Sequence, residues 1–136
     1  MKRDFDTIRD ILVYVESLHE GKDEIKGKSF DMNEDDEIKR YKLLVHFEIL
    51  QEAGYIKNVY LQKNAMGRLV GLSAYNAELT MKGHDFLDSI RHDNNWTKIK
   101  EVITKAGGCV TMSLLQTIAT DILSGHIMSL LPKIQK

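Results

Sequence analysis

The stretch NEDDEIKRYKLLVHFEILQEAGYI, residues 33–56, decides the fold that the sequence predicts. Asn33 is a favourable N-cap, and the carboxylates of residues 34–37 suit the positive end of a helix dipole. Apolar residues follow in two adjoining rows at helical spacing, so we expect a helix buried on more than one side. The rows are Ile38, Tyr41, Val45 and Ile49, and Leu43, Phe47 and Leu50. Gly54 predicts the end of this helix, after which the chain becomes extended at Ile56.

A β-hairpin is predicted immediately after this helix. Residues 59–61 and 69–72 are short β-prone runs, and residues 62–67 between them are turn-like. Asn64 and Gly67 tolerate the positive φ angles that a tight turn needs. The order of a long helix followed directly by a hairpin is therefore the core of the predicted fold.

Further helices are predicted on both sides of this pair. Apolar residues at helical spacing from Phe5 to Leu18 predict a first helix, and Gly21 is expected to stop it. The polar residues 22–31 then hold either a short strand, which we favour, or a surface loop. The later helices are expected to start at caps: Thr80, then Asp93 or Asn94, then Thr111 or Ser113. The first of these helices carries Met81, Phe86, Leu87 and Ile90, and the last carries Leu114, Leu115, Ile118, Ala119, Ile122 and Leu123. In the helix between them, Trp96, Ile99, Val102 and Ile103 are expected to face inward.

The composition describes an ordinary globular protein with a core of its own. The chain has 136 residues, of which 43% are hydrophobic, and a formal net charge of −1. Its single cysteine, Cys109, excludes an intrachain disulfide and fits a reducing cytoplasm. The charged start argues against a signal peptide, and the chain lacks an apolar run long enough to span a membrane, so we expect a cytoplasmic protein with no membrane partner.

Three separated motifs carry a resemblance to a known group of proteins. They are MKRDFDTIRDIL (residues 1–12), HFEILQEAGYI (46–56) and ELTMKGHDFLDSIRHDNNWTKIKE (78–101). The last resembles the pattern LTxxGHxFLDxIRxDxxWxxxK of uncharacterised, often prophage-encoded bacterial winged-helix proteins, including the YjcQ-like family. The resemblance implies a mainly helical α+β protein of phage or mobile-element context, with a winged-helix-like domain over residues 1–92. Residues 93–136 are then a helical extension packed on that domain or on a second subunit.

A winged helix makes double-stranded DNA the first candidate partner. Wings touch phosphates with Lys and Arg, and recognition helices offer side chains near their start to base edges. The hairpin carries three cations and no carboxylate between residues 57 and 68, and the second helix carries three more on its predicted solvent side. The DNA-binding residues that we predict are Lys39, Arg40, Lys42, Lys57, Lys63 and Arg68.

A protein–protein adaptor on the same scaffold is the alternative function. The four carboxylates of residues 34–37 would repel a polyanion, and residues 22–32 lack the helix that normally precedes a recognition helix. The apolar tail, residues 127–134, would form an exposed patch in a monomer unless it docks on the first helix of its own chain. Docking on a second copy is the other possibility, and we favour it, so a homodimer is expected.

Other chemistry has little support in the sequence. His84, Asp88 and His92 follow at intervals of four, but all three are too spread along one helix to bind one metal ion. Cys109 has no local base, and we expect it to be a small core residue. We therefore expect a non-enzymatic protein without a metal or cofactor.

Overall fold

The computed structural model describes residues 2–18 and 36–124, and over these ranges the protein is a mainly helical α+β structure. The elements run α1 (Phe5–Leu18), α2 (Glu37–Glu52), β1 (Ile56–Lys57), β2 (Tyr60–Lys63), β3 (Leu69–Ser73), β4 (Glu78–Leu79), α3 (Met81–Ile90), α4 (Asp93–Lys105) and α5 (Met112–Ser124). The predictions for Gly21, for residues 22–31 and for the apolar tail lie outside the described residues.

The chain divides into two compact units, residues 1–84 and residues 85–136. The division falls inside α3, earlier along the chain than the predicted boundary at residues 92 and 93. Each unit buries apolar side chains of its own. None of the helices in the described ranges is both long enough and apolar enough to cross a bilayer.

Helix α1 begins at a capped start and buries one face. The Asp4 carboxylate accepts hydrogen bonds from the backbone N–H groups of Asp6 and Thr7, at 3.0 and 3.2 Å, which satisfies two donors in the first turn. The helix packs against α2 and β4 through the predicted apolar row. The buried members of that row are Ile8, Ile11, Leu12 and Val15.

Helix α2 begins later than predicted. Its N-cap is Asp36, whose Oδ1 accepts from the N–H groups of Ile38 and Lys39, so the prediction of Asn33 as the cap is wrong. The apolar row Leu43, Phe47 and Leu50 is buried as predicted, whereas Ile38 in the other row is 79% exposed. The helix ends at Ala53, and Gly54 follows with φ +87°, the left-handed conformation predicted for it.

The predicted hairpin is present and is longer than the sequence indicated. Strands β2 and β3 pair antiparallel, with Leu61 opposite Leu72, and outside them β1 pairs with β4, with Ile56 opposite Leu79. The β1–β4 pair was not predicted, because each of its strands has only two residues. The turn is closed by a bond from Asn64 N–H to the Arg68 carbonyl at 2.9 Å.

The Gln51 side chain joins the base of the hairpin to α2. The Gln51 amide accepts a bond from the Val59 N–H at 2.8 Å and donates one to the Val59 carbonyl at 3.0 Å. Both backbone groups of Val59 are thereby satisfied at the break between β1 and β2, where Asn58 has a φ of +67°. The hairpin therefore leaves α2 in an orientation that Gln51 fixes.

The start of α3 closes the base of the hairpin. The Thr80 N–H donates to the Tyr55 carbonyl, and the Thr80 hydroxyl donates to the Gly54 carbonyl and accepts from the Gly83 N–H. Thr80 is thus the helix cap that the sequence predicted. A Cβ on Gly83 would lie 2.0 Å from the Tyr55 carbonyl oxygen, so only glycine permits this close approach.

In the second unit, α4 and α5 pack against each other. Helix α4 is capped at His92 without a side-chain hydrogen bond, so the prediction of Asp93 or Asn94 as the cap is wrong. Helix α5 has the predicted Thr111 cap, whose hydroxyl accepts from the Leu114 N–H at 3.1 Å. The buried side chains of the two helices are Trp96, Ile99, Ile103, Met112, Leu115 and Ala119. Val102, which was predicted to face inward, is instead 40% exposed, and Leu114 and Leu123 of α5 are 46% and 47% exposed.

Candidate functional site

The first half of α2 and the turn end of the hairpin form a shallow groove of about 200 Å³. The groove combines two guanidinium groups with an aromatic ring, an amide, a carboxylate and apolar walls. Its lining residues are Glu37, Arg40, Tyr41, Leu44, Asn64, Arg68, Leu69 and Val70. Two of the predicted DNA-binding residues, one from the helix and one from the hairpin, therefore share one site.

Both arginines are held in place by contacts that do not neutralise their positive charge. Arg40 Nη1 donates to the Val70 carbonyl at 3.3 Å, which links α2 to β3. The Arg68 guanidinium carbon lies 4.0 Å from the centre of the Tyr41 ring, in cation–π geometry. Within residues 2–18 and 36–124, neither guanidinium forms an ion pair with a carboxylate. Most of their N–H donors therefore remain available to a ligand.

The turn that carries Arg68 is ordered by one side chain. The Asn64 carboxamide oxygen accepts from the N–H groups of Met66 and Arg68, at 2.9 and 3.0 Å. Gly67, with φ +82°, completes the turn in the conformation predicted from the sequence. This arrangement leaves Met66 89% exposed at the tip.

The other predicted cations differ in their surroundings. Lys39 is exposed in the first turn of α2. Lys57 lies 3.7 Å from Glu78, and Lys63 lies 3.2 Å from Glu48, so a carboxylate compensates each charge. The side chains of the two pairs are 26–54% exposed, and ion pairs at such partly exposed positions contribute little to stability.

Lys42 belongs to a structural network rather than to the solvent face on which it was predicted. Its ammonium group pairs with the Asp4 carboxylate, and its side chain is 39% exposed. Burial alone would raise the pKa of Asp4, but the hydrogen bonds from Lys42 and the start of α1 outweigh it and lower that pKa. Lys42 thus ties α2 to the cap of α1.

His46, which was not among the predicted functional residues, completes this network. The ring is fully buried; its Nδ1 lies 2.7 Å from the Lys42 carbonyl, and its Nε2 lies 2.8 Å from the Asp4 nitrogen. Because the Asp4 N–H must donate, Nε2 is the acceptor and Nδ1 carries the proton. Burial lowers the pKa of His46, and the nearby cations Lys42 and Arg3 act in the same direction, against the Asp4 carboxylate. The neutral ring is therefore the form that fits this site.

A second carboxyl on α1 has a perturbed pKa. Burial, together with the negative charges of Asp6 and Asp4, raises the pKa of Asp10 to about 6, despite the opposing charge of Arg9. The carboxyl thus opposes folding when it ionises.

The residues considered for metal binding and for thiol chemistry are all exposed. His84 is exposed and lines a small pocket with Glu16 and Glu78, while Asp88 pairs with Arg91 at 2.9 Å. In the part of the chain that the structure describes, no three His, Cys, Asp or Glu side chains form a group that could hold a metal ion. Cys109 is exposed, so the expectation that it is a core residue is wrong.

Comparison with known proteins identifies relatives but no activity. Residues 2–109 match the model of a family described as "Hypothetical protein (DUF2513)". The chain is also similar to a protein of Haemophilus influenzae (strain ATCC 51907 / DSM 11121 / KW20 / Rd) described as "Uncharacterized protein". The two are 33% identical over 125 residues, which cover 91% of this chain and 97% of the relative. No solved structure matches the chain.

Proposed function

The chain belongs to the DUF2513 family, and we propose that it is a non-enzymatic binding module that holds double-stranded DNA between α2 and the basic hairpin. In this proposal α2 is the recognition helix and β2–β3 is the wing of a winged-helix-like domain. The module is of phage or mobile-element origin, as the sequence motifs imply, and acts as a transcriptional regulator. The shared groove of Arg40 and Arg68 is the observation that carries the proposal.

The connection between α2 and the hairpin supports this reading. The Gln51 amide fixes Val59 at the base of the hairpin, and Arg40 reaches the Val70 carbonyl near the turn. The helix and the hairpin are therefore joined at two places, and their cations keep a fixed spacing. A fixed spacing suits the regular spacing of phosphates on a duplex.

The surroundings of the six predicted residues divide them into three groups. Lys39, Arg40 and Arg68 lie at the start of α2 and beside the turn, and we assign them the inner contacts with DNA. Lys57 and Lys63 keep carboxylate partners and make outer contacts, where phosphates compete with Glu78 and Glu48. Lys42 has a structural role through Asp4, so its replacement is expected to lower stability before it lowers affinity.

Fluorescence anisotropy with a labelled mixed-sequence duplex tests the proposal. At about 50 mM salt the protein should bind in the micromolar range, and binding should weaken steeply towards about 200 mM salt. Replacing Lys39 and Arg68 with glutamate should abolish binding with little change in thermal unfolding. The matched control is the same reversal at the exposed Lys98 and Lys105 of α4. Absence of binding at tens of micromolar protein would refute the proposal.

The second candidate function is a protein–protein adaptor, and exposed apolar side chains favour it. Ile38 beside the groove, Met66 at the turn and Tyr75 near β4 are 79%, 89% and 90% exposed. Compensation of Lys42, Lys57 and Lys63 by carboxylates also reduces the positive field of this surface. An adaptor would bind a protein partner in a way that added salt barely weakens and that Met66→Ser disrupts. DNA binding would instead weaken steeply with added salt, and Met66→Ser would leave it largely unchanged.

Homodimer formation is a separate part of the proposal, suggested by the apolar tail of the sequence. Light scattering coupled to size-exclusion chromatography should give twice the chain mass of 15.6 kDa. A monomer at micromolar concentration would refute the dimer without affecting the DNA assignment.

A further inference from the structure

We propose that the groove between α2 and the hairpin binds one phosphate group of the nucleic-acid backbone, with Arg40 and Arg68 as its ligands and Tyr41 as a positioning residue. This inference rests on the proposed function and assigns the chemistry of one contact. It also predicts which cations determine affinity.

The ligand class follows from the donors that line the groove. A guanidinium is a planar group with five N–H donors, and its fork matches two oxygens of a phosphate. Arg40 uses one nitrogen on the Val70 carbonyl, and the central carbon of the Arg68 guanidinium lies over the Tyr41 ring. Two such groups around about 200 Å³ can donate to one tetrahedral anion from two sides.

The charge around the groove favours a phosphate that is part of a chain. Glu37 also lines the groove, so its two cations are opposed by one carboxylate. A net charge of about +1 suits a phosphodiester, which carries one negative charge, better than a free phosphate dianion. The neighbouring cation Lys39 then has further phosphates of the same strand to contact. We therefore assign the phosphate to a nucleic acid rather than to a small molecule.

Tyr41 acts through Arg68. Its ring lies under the guanidinium at 4.0 Å and limits the orientations of a side chain that would otherwise be free in solvent. Stacking of this kind requires an aromatic ring but not the hydroxyl. Tyr41→Phe should therefore retain duplex affinity, whereas Tyr41→Leu should weaken it.

The experiment measures duplex affinity as a function of salt for single variants. Arg40→Ala and Arg68→Ala should each weaken binding about tenfold at about 50 mM salt and should each reduce the slope of log K against log salt by about 1. Arg68→Lys should weaken binding although it keeps the charge, because a lysine cannot form the bidentate fork. Glu37→Gln should strengthen binding. Lys98→Ala, which removes one exposed charge from α4, is the matched control and should leave both affinity and slope unchanged.

A double-mutant cycle separates positioning from folding. If Tyr41 works through Arg68, the loss caused by Tyr41→Leu should disappear when Arg68 is already alanine, and Tyr41→Phe should restore the full salt slope. Additive losses would refute the positioning role.

The two proposals can fail separately. Absence of duplex binding by the unaltered protein refutes the proposed function. Duplex binding whose affinity and salt slope are unchanged by Arg40→Ala and Arg68→Ala refutes the phosphate groove and leaves the proposed function standing. Potassium phosphate at constant ionic strength is the last arm: weak competition supports a backbone phosphodiester, and displacement of the duplex at micromolar phosphate refutes that assignment.

Discussion

Replacing His46 with glutamine should remove a pH-dependent loss of stability. In the folded protein the Nε2 of His46 accepts a hydrogen bond from the Asp4 N–H. Protonation of that nitrogen would break this bond and place two N–H groups facing each other. Burial also keeps the pKa of His46 below its ordinary value. In the unfolded chain the ring takes up a proton below about pH 6.5. The unfolded state then binds more protons than the folded state, and stability falls as the pH falls.

The magnitude is set by one proton. The free energy of unfolding should decrease by up to about 1.4 kcal/mol for each pH unit below about 6.5, until the folded ring itself titrates. Glutamine offers an oxygen to the Asp4 N–H and an N–H to the Lys42 carbonyl without titrating. His46→Gln should therefore cost about 1 kcal/mol near pH 7.5 and progressively less below pH 6.5.

Urea unfolding of both proteins at about pH 7.5, 6.5 and 5.5 measures this difference. Comparison at each pH cancels the titration of Asp4, Asp10 and the other shared groups. His92→Gln, at an exposed histidine whose side chain makes no capping bond, controls for the removal of a histidine elsewhere. A difference between wild type and His46→Gln that stays constant over this range would refute the reasoning.

Three further changes test contacts of the first unit. Gln51→Ala removes both bonds to Val59 and should lower the free energy of unfolding by about 1–3 kcal/mol; unchanged urea unfolding would contradict the hairpin anchor. Gly83→Ala places a methyl group 2.0 Å from the Tyr55 carbonyl oxygen and should cost about 3 kcal/mol or more, whereas wild-type thermal unfolding would show that α3 can move away. Asp10→Asn should stabilise the protein by about 1 kcal/mol near pH 7.5, after allowance for solvent screening, because a folded pKa raised to about 6 makes ionisation unfavourable to folding. That gain should shrink as the pH falls below about 6 and should be lost only below about pH 3.9, where Asp10 is protonated in the unfolded chain as well. A gain independent of pH would contradict the assignment.

The elements of the fold were predictable where local chemistry determines them. Gly54 ends α2 because it adopts positive φ, and the paired runs around Leu61 and Leu72 form a hairpin. The start of α2 was misplaced because a run of consecutive carboxylates offers several possible caps. Only the geometry identifies Asp36 as the residue whose oxygen meets the first free N–H groups.

The candidate site was predictable only in part. A sequence shows which residues are cations, but it does not show which of them pair with a carboxylate in the folded protein. Arg40 and Arg68 were predicted from two separate elements, and both line one groove. The carboxylates that pair with Lys57 and Lys63 come from other elements, and no local pattern indicates them. Tyr41 was assigned to an apolar row although its ring supports Arg68.

His46 had a signal that was available in the sequence. It falls at helical spacing among the buried residues of α2, three positions after Leu43 and four before Leu50. A buried histidine needs two hydrogen-bond partners, which predicts a tertiary contact but does not name it. Gln51 had no comparable signal, because its partner Val59 is defined only once the hairpin has formed.

The base of the hairpin has a consequence for how this protein can diversify. Thr80 fastens the returning chain to the carbonyls of Gly54 and Tyr55, where the outgoing chain leaves α2. The two ends of the segment that contains the hairpin are thereby held together by Thr80 and two backbone carbonyls. These bonds do not involve the residues of the hairpin itself. Residues at the tip can therefore be exchanged or lengthened without removing the bonds that hold the two chain ends together at the base.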